Sequence, residues 1–163
     1  MAKKIYFVGL DSGTQGTKSI IIDERGRAIG RGYAPHKFVP NLKPGESEQE
    51  PATWVKALND SLGMALKEAS QNKHFQPKNI VALGLSGQQH GFVPLDRNGQ
   101  VIRAAKLWND TSTAQETEFI IESVGGKRRF IQLTGLNLAV GYTASKILWL
   151  KRNEPHNLSL IHI

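Results

Sequence analysis

The chain has 163 residues, 39% of them hydrophobic, no cysteine and a formal charge of +7. That length and apolar content support a packed core, while the missing thiols exclude disulfides and thiolate metal centres and fit a reducing, cytoplasmic setting. No apolar run approaches the roughly 18 residues of a membrane span, and none resembles a signal peptide. The basic residues are dispersed, with Lys127-Arg128-Arg129 as the densest cluster and no interleaved aromatics, so nucleic acid is not an expected partner either.

Residues 4–10 are nearly all apolar without alternation, which predicts a buried strand. After a glycine turn, Ser19–Asp23 reads as a second strand, and Glu24-Arg25-Gly26-Arg27 turns the chain into a third from Ala28 to about Ala34. This order predicts an antiparallel meander, whereas a P-loop enzyme would place a helix after the first turn. Residues 35–50 are polar and proline-punctuated, hence loop. Pro51 suits a first helical position, and Trp54, Val55, Leu58, Leu62, Ala65 and Leu66 recur at helical spacing to about Ala69. Ile80–Leu85 predicts another buried strand. Gly91–Leu95 and Gln100–Ala105 flank Asp96-Arg97-Asn98-Gly99, a hairpin signal. Helices follow over Thr113–Val124, closed by Gly125-Gly126, and from Thr143, with Ala144, Ile147, Leu148 and Trp149 on its apolar side. The class is α/β with a mixed sheet.

Three segments carry chemistry. In Leu10–Lys18, Asp11 ends a strand and enters a loop of glycines and hydroxyls. Gly13 and Gly16 allow the backbone close to a ligand, Thr14 and Thr17 add hydroxyls, and Asp11 can hold Mg²⁺ directly or through water. An ordinary hairpin turn would use the same residue types. In Ser86–Gly91, Gln88, Gln89 and His90 follow a strand and offer the donors and acceptors a polyhydroxylated ligand needs. In Leu107–Asp110, a ring, an amide and a carboxylate suit a sugar, although Trp108 could equally be core and Asp110 a helix cap. His36, His74, His156 and His162 have no comparable setting and receive no role.

Taken with Ser47-Glu48-Gln49-Glu50-Pro51 and Gly141-Tyr142-Thr143-Ala144, these segments resemble the N-terminal part of FGGY carbohydrate kinases, and most of all their xylulokinase branch, from residue 4 to 157. The resemblance implies the N-terminal lobe of an actin-like, ribonuclease-H-like ATPase fold, a mixed sheet flanked by helices, with ATP and sugar meeting in a cleft between lobes. It implies MgATP-dependent phosphorylation of D-xylulose at its 5-hydroxyl. By position, Asp11 would be the magnesium and phosphate acid, and Gly13, Thr14, Gln15, Gly16 and Thr17 the phosphate hairpin. Gln89, His90, Trp108, Asn109 and Asp110 would line the ketose pocket.

Two positions depart from the xylulokinase pattern: Met is usual where Gln89 stands, and Pro is common where Ser145 stands. Glycerol kinases carry Arg-Glu in the Gln89-His90 region. Other FGGY sugars (ribulose, gluconate, a deoxy-ketose), or a non-catalytic actin-like or sugar-sensing module, are the alternatives. Such kinases are about three times this long, with the aspartate general base and the adenosine pocket further along. The chain is therefore expected to be a truncated first lobe, inactive alone, whose full-length parent could pair as a homodimer. Leu158–Ile163 matches the translation of a transposase end sequence used in sequencing adapters, and is expected to be a non-native tail on a lobe of residues 1–157.

Overall fold

The computed structural model describes residues 4–161. In chain order the strands are β1 (Tyr6–Ser12), β2 (Gly16–Asp23), β3 (Ala28–Pro35), β4 (Glu48–Gln49), β5 (Ile80–Gly87) and β6 (Ala105–Lys106). The helices are α1 (Pro51–Ala69), α2 (Ala114–Ser123), α3 (Lys127–Thr134), α4 (Thr143–Asn153) and α5 (Pro155–Leu160). They fall into two compact units, one from residues up to 37 and 52–88, the other from residues 38–51 and from 89 onward.

The first unit is a mixed sheet in the order β3-β2-β1-β5 with α1 against it. The expected antiparallel meander is present, and β5 runs parallel beside β1. Tyr6, Val8 and Leu10 point to one side and join Ile21, Ala65, Ala69 and Phe75 in the core. Two expectations are corrected here. β1 is buried on that side only, since Phe7 and Gly9 are merely half-buried, and β5 is not buried: Val81, Leu83 and Leu85 are 56–68% exposed. The reason is placement, for β5 is one of the two edge strands of this sheet among the described residues and only its Ile80 packs against the core, and an apolar run does not reveal how many faces are covered.

α1 has the predicted limits but a different inner face. Ala57, Ser61, Ala65 and Ala69 are its most buried residues, while Val55 is exposed and Leu58, Leu62 and Leu66 flank the core. These small side chains recur every four positions, so they form one ridge along the helix. The ridge lets α1 touch the backbone of β3. A Cβ added at Gly30 would sit 2.1 Å from the Ala65 carbonyl oxygen, and one at Gly32 would sit 1.8 Å from that of Ser61. Ser61 also hydrogen-bonds the buried Ser19 hydroxyl at 2.6 Å.

In the second unit β4 and β6 pair antiparallel, Glu48 opposite Lys106 and Gln49 opposite Ala105. The segment expected to be all loop therefore contains a short strand. The Asp96–Gly99 turn forms, with Asp96 accepting the Asn98 and Gln100 N–H groups, and its arms are joined by the Leu95↔Val101 bridge and the Ile102 N–H to Pro94 carbonyl bond without forming a regular two-stranded ladder. α2 packs on α4, whose inner residues are Ser145, Lys146 and Leu150, whereas Ile147 is exposed. α3 and α5 were not anticipated. Residues 158–160 complete α5 and Ile161 bridges to Asp96, while residues 162 and 163 lie outside the described range.

Gly30→Ala should force α1 off β3. Overpacking of this kind costs about 1–3 kcal/mol, so urea unfolding should show that loss, whereas Gly26→Ala, where no atom lies within 4 Å of the added Cβ, should register only the strain of its positive φ.

Candidate functional site

In the first unit the expected phosphate segment is a hairpin between β1 and β2. Asp11 is the exposed last-but-one residue of β1, opposite Lys18 on β2 and Ser86 on β5. The loop closes with the Gly13 N–H donating to the Gly16 carbonyl at 3.1 Å. Its two threonines are braced from outside the loop. Thr14 Oγ1 donates to Gln88 Oε1 at 3.2 Å, and Thr17 Oγ1 donates to Ser12 Oγ at 3.1 Å while meeting His36 Nε2 at 2.9 Å. The two glycines differ. A Cβ on Gly13 would meet nothing nearer than 3.8 Å, which leaves that side open to a ligand, whereas one on Gly16 would collide with the Tyr33 ring at 2.5 Å. Gly16 is thus required by packing.

The residues suit a magnesium–phosphate pair in one particular way. Among the described residues no three His, Cys, Asp or Glu side chains converge, so Asp11 is a single exposed carboxylate at the mouth of a hairpin whose Gly13 side is open. Mg²⁺ commonly accepts such a site, since one or two carboxylates, phosphate oxygens and water complete its shell. Beside Asp11 a concavity of about 920 Å³ extends over Gly9, Ile20, Tyr33 and Gly84, an open sheet face more than an enclosed pocket.

In the second unit Gln89 and His90 are exposed, as a ligand-contacting pair must be. His90 has φ of 59°, a left-handed backbone that is costly outside glycine and asparagine. Three contacts hold it there. Its ring stacks on Tyr142 with centroids 4.3 Å apart and planes 19° apart. Its carbonyl accepts from Lys146 Nζ at 2.6 Å and from Thr143 Oγ1 at 3.4 Å. Lys146, fully buried, also donates to the Gly141 carbonyl, and burial pushes its ammonium down to about 8, partly opposed by Asp110 and reinforced by Lys106. Gly141 in turn lies against Trp108, whose carbonyl oxygen would be 2.1 Å from a Cβ there. His90, Tyr142 and Trp108 therefore belong to one constellation.

Trp108 and Asn109 face outward, and the Asn109 amide oxygen accepts from Ser47 Oγ at 2.8 Å. Asp110 behaves differently from the pocket-lining role expected of it. It is fully buried, and its carboxylate accepts from the Ser47 and Ser112 N–H groups, the Ser112 hydroxyl and Lys106 Nζ. Its chemistry is directed at the framework under Trp108 and Asn109. Lys106, also fully buried, links Asp110 at 3.1 Å to Glu48 at 3.0 Å and lies 4.1 Å from the centre of the Trp149 ring. Arg103 grips Glu48 with one guanidinium nitrogen and reaches Glu154 at 3.1 Å.

Sequence reasoning missed three contributors, His36, Tyr142 and Lys146, and it offered Gln88 to a ligand where the structure turns its amide oxygen to Thr14. Tyr142 stood in a quoted motif, and a lysine at a position that packs with Ser145 and Leu150 is a readable anomaly in α4. His36 acts through a tertiary contact that no local pattern announces, as does the bond from Thr14 to Gln88.

Comparison with known proteins bears on both units. The model of the FGGY family of carbohydrate kinases, N-terminal domain, matches residues 6–163. A xylulose kinase of Haemophilus influenzae is 42% identical over 156 residues, covering 95% of this chain and 31% of that protein. A solved structure of a xylulose kinase from Bifidobacterium adolescentis superposes with a TM-score of 0.81 at 31% identity, covering 98% of this chain and 32% of that one. A Brucella ovis structure described as a xyloylose kinase gives 0.83 at 35% identity, over 96% and 31%. The fold is thus part of the actin-like ATPase fold of these sugar kinases, and the chain spans about a third of the length of the relatives it matches.

Lys106→Met would remove the cation between two buried carboxylates. Breaking a buried pair in this way costs about 3–5 kcal/mol. Urea unfolding should show a loss of that size, and a loss under 1 kcal/mol would mean that the network contributes little.

Proposed function

The chain belongs to the FGGY family of carbohydrate kinases, and on that footing we propose that the protein containing it transfers a phosphoryl group from MgATP to D-xylulose, in the cytoplasm. The observation that carries the substrate is the run of xylulose kinases among its relatives, 42% identity to the Haemophilus influenzae protein included. The exposed Gln89-His90 pair and the outward Trp108-Asn109 pair are consistent with it, since together they offer hydrogen-bond donors, acceptors and an apolar ring to a polyol.

In this reading Asp11 holds Mg²⁺, and the hairpin of Gly13, Thr14, Gln15, Gly16 and Thr17 receives phosphate oxygens on the side left open at Gly13, with the buried Thr17 hydroxyl supporting the loop from inside. When bound, the metal supplies charge neutralisation at the transferring group. Gln89, His90, Trp108 and Asn109 orient the ketose, with Asp110 keeping the last two in position. No group assigned here takes the proton from the attacking hydroxyl, and phosphoryl transfer depends on all the positioning groups acting together. The 163 residues by themselves are accordingly proposed to be inactive.

Two measurements test this. ADP release by a polypeptide of the relatives' full length should be fastest, by kcat/KM, with D-xylulose in a panel with D-ribulose, D-gluconate and glycerol; a preference of tenfold or more for another sugar would move the substrate assignment. The isolated 163-residue chain should give no sugar-dependent ADP release above background, and turnover at an enzyme-like rate would refute its proposed dependence on the missing part.

A further inference from the structure

His36 follows β3 directly and turns inward beneath the β1–β2 hairpin. It is 8% exposed, and it touches the loop at more than one level. Its backbone N–H donates to the Gln15 carbonyl at 2.9 Å, extending the β3–β2 ladder by one bond past Pro35, which has no N–H to give. Its ring reaches Thr17, whose hydroxyl is fully buried.

The ring's proton can be placed by elimination. Thr17 Oγ1 gives its single proton to Ser12 Oγ, so in the contact with His36 it is the acceptor and Nε2 the donor. Burial pushes the imidazole below its ordinary value, against the backbone carbonyls of Gly13 and Thr14, which favour the charged form. The neutral ring therefore carries its hydrogen on Nε2. Nδ1 is buried with no hydrogen-bond partner among the described residues. A leucine would fill the same space without an unmet acceptor, and a buried polar atom left unpaired calls for a compensating role.

We infer that His36 is a positioning residue for the hairpin: through the chain His36–Thr17–Ser12, together with the Gln15 bond, it fixes the loop in the form whose Gly13 side is open. The inference rests on the reading that Gly13–Thr17 receives the phosphates of the nucleotide. Ser12 adjoins Asp11, so the same chain of hydrogen bonds steadies the strand end that carries the carboxylate. Gln88 does the equivalent for Thr14 from the end of β5.

The test uses the full-length kinase and three variants, His36→Leu, His36→Gln and Asp11→Asn. Leucine removes the donor while keeping the site filled, and glutamine returns an N–H near the position of Nε2. The expected result is a five- to tenfold rise in KM for ATP in His36→Leu, with KM for the sugar within twofold of the unmodified enzyme. His36→Gln should recover ATP KM to within about threefold. An unchanged ATP KM in His36→Leu, an equal rise in both KM values, or a glutamine variant no better than leucine would overturn the inference. Asp11→Asn separates this from failure of the underlying reading. If it leaves ATP turnover intact, the hairpin is not the phosphate site and the inference falls with it; if it abolishes turnover while His36→Leu behaves as unmodified enzyme, only the role of His36 is lost. Thermal melts of all three variants should stay within a few degrees of the parent, and His36→Gln carries the comparison should His36→Leu not fold.

Discussion

The second unit is organised around a cation that has no access to water. Lys106 sits at zero exposure between Glu48 and Asp110, with Ser112 as a third oxygen partner and the Trp149 ring beneath it. An ammonium in such a place is tolerable only if every proton finds a partner, and this one ties together strand β4, strand β6, the 107–112 turn and helix α4. Buried ion pairs seldom add net stability over a well-packed apolar alternative. Here the carboxylate of Asp110 meets Ser47, Ser112 and Lys106 together while Trp108 and Asn109 turn outward.

The two candidate half-sites are thus steadied by different chemistry. Beneath the hairpin the contacts are neutral, hydroxyl to hydroxyl, amide and imidazole. Around His90 the contacts include a buried ammonium that donates to two carbonyls. A left-handed histidine needs that over-determination, because its backbone would otherwise relax and carry the ring away from Tyr142.

Much of this was readable before any coordinates. The limits of α1 follow from Pro51 at the first turn and the apolar period behind it, and the three-strand meander follows from glycine turns between β-branched runs. Coverage was not readable. β5 looks like a core strand because Val81, Leu83 and Leu85 are apolar, yet burial depends on neighbours in space. α1 shows the same limit in reverse: its leucines dominate the pattern, while the closest contact runs along Ser61, Ala65 and Ala69, whose value lies in being small. α3 escaped because it is only eight residues long and follows directly on Gly125-Gly126, which reads as a helix end. At the sites, Gln89 and His90 are exposed, which their residue types alone did not say. Asp110 shows that residue type and spacing do not say which way a carboxylate points, and His36 that a role made by contacts nineteen positions away leaves no local trace.

The parallel pairing of β1 with β5 has a consequence for how the first unit assembles. β1, β2 and β3 are joined by tight turns and can register in microseconds. β1 meets β5 only across a separation of roughly seventy residues, a closure whose entropy must be met before any of its hydrogen bonds form. The strand that carries Asp11 near its end therefore acquires its second neighbour late. The geometry at the tip of β1 is an outcome of the last topological step, so the rate at which this unit becomes able to bind should follow β1–β5 docking and not the earlier, local collapse of the meander.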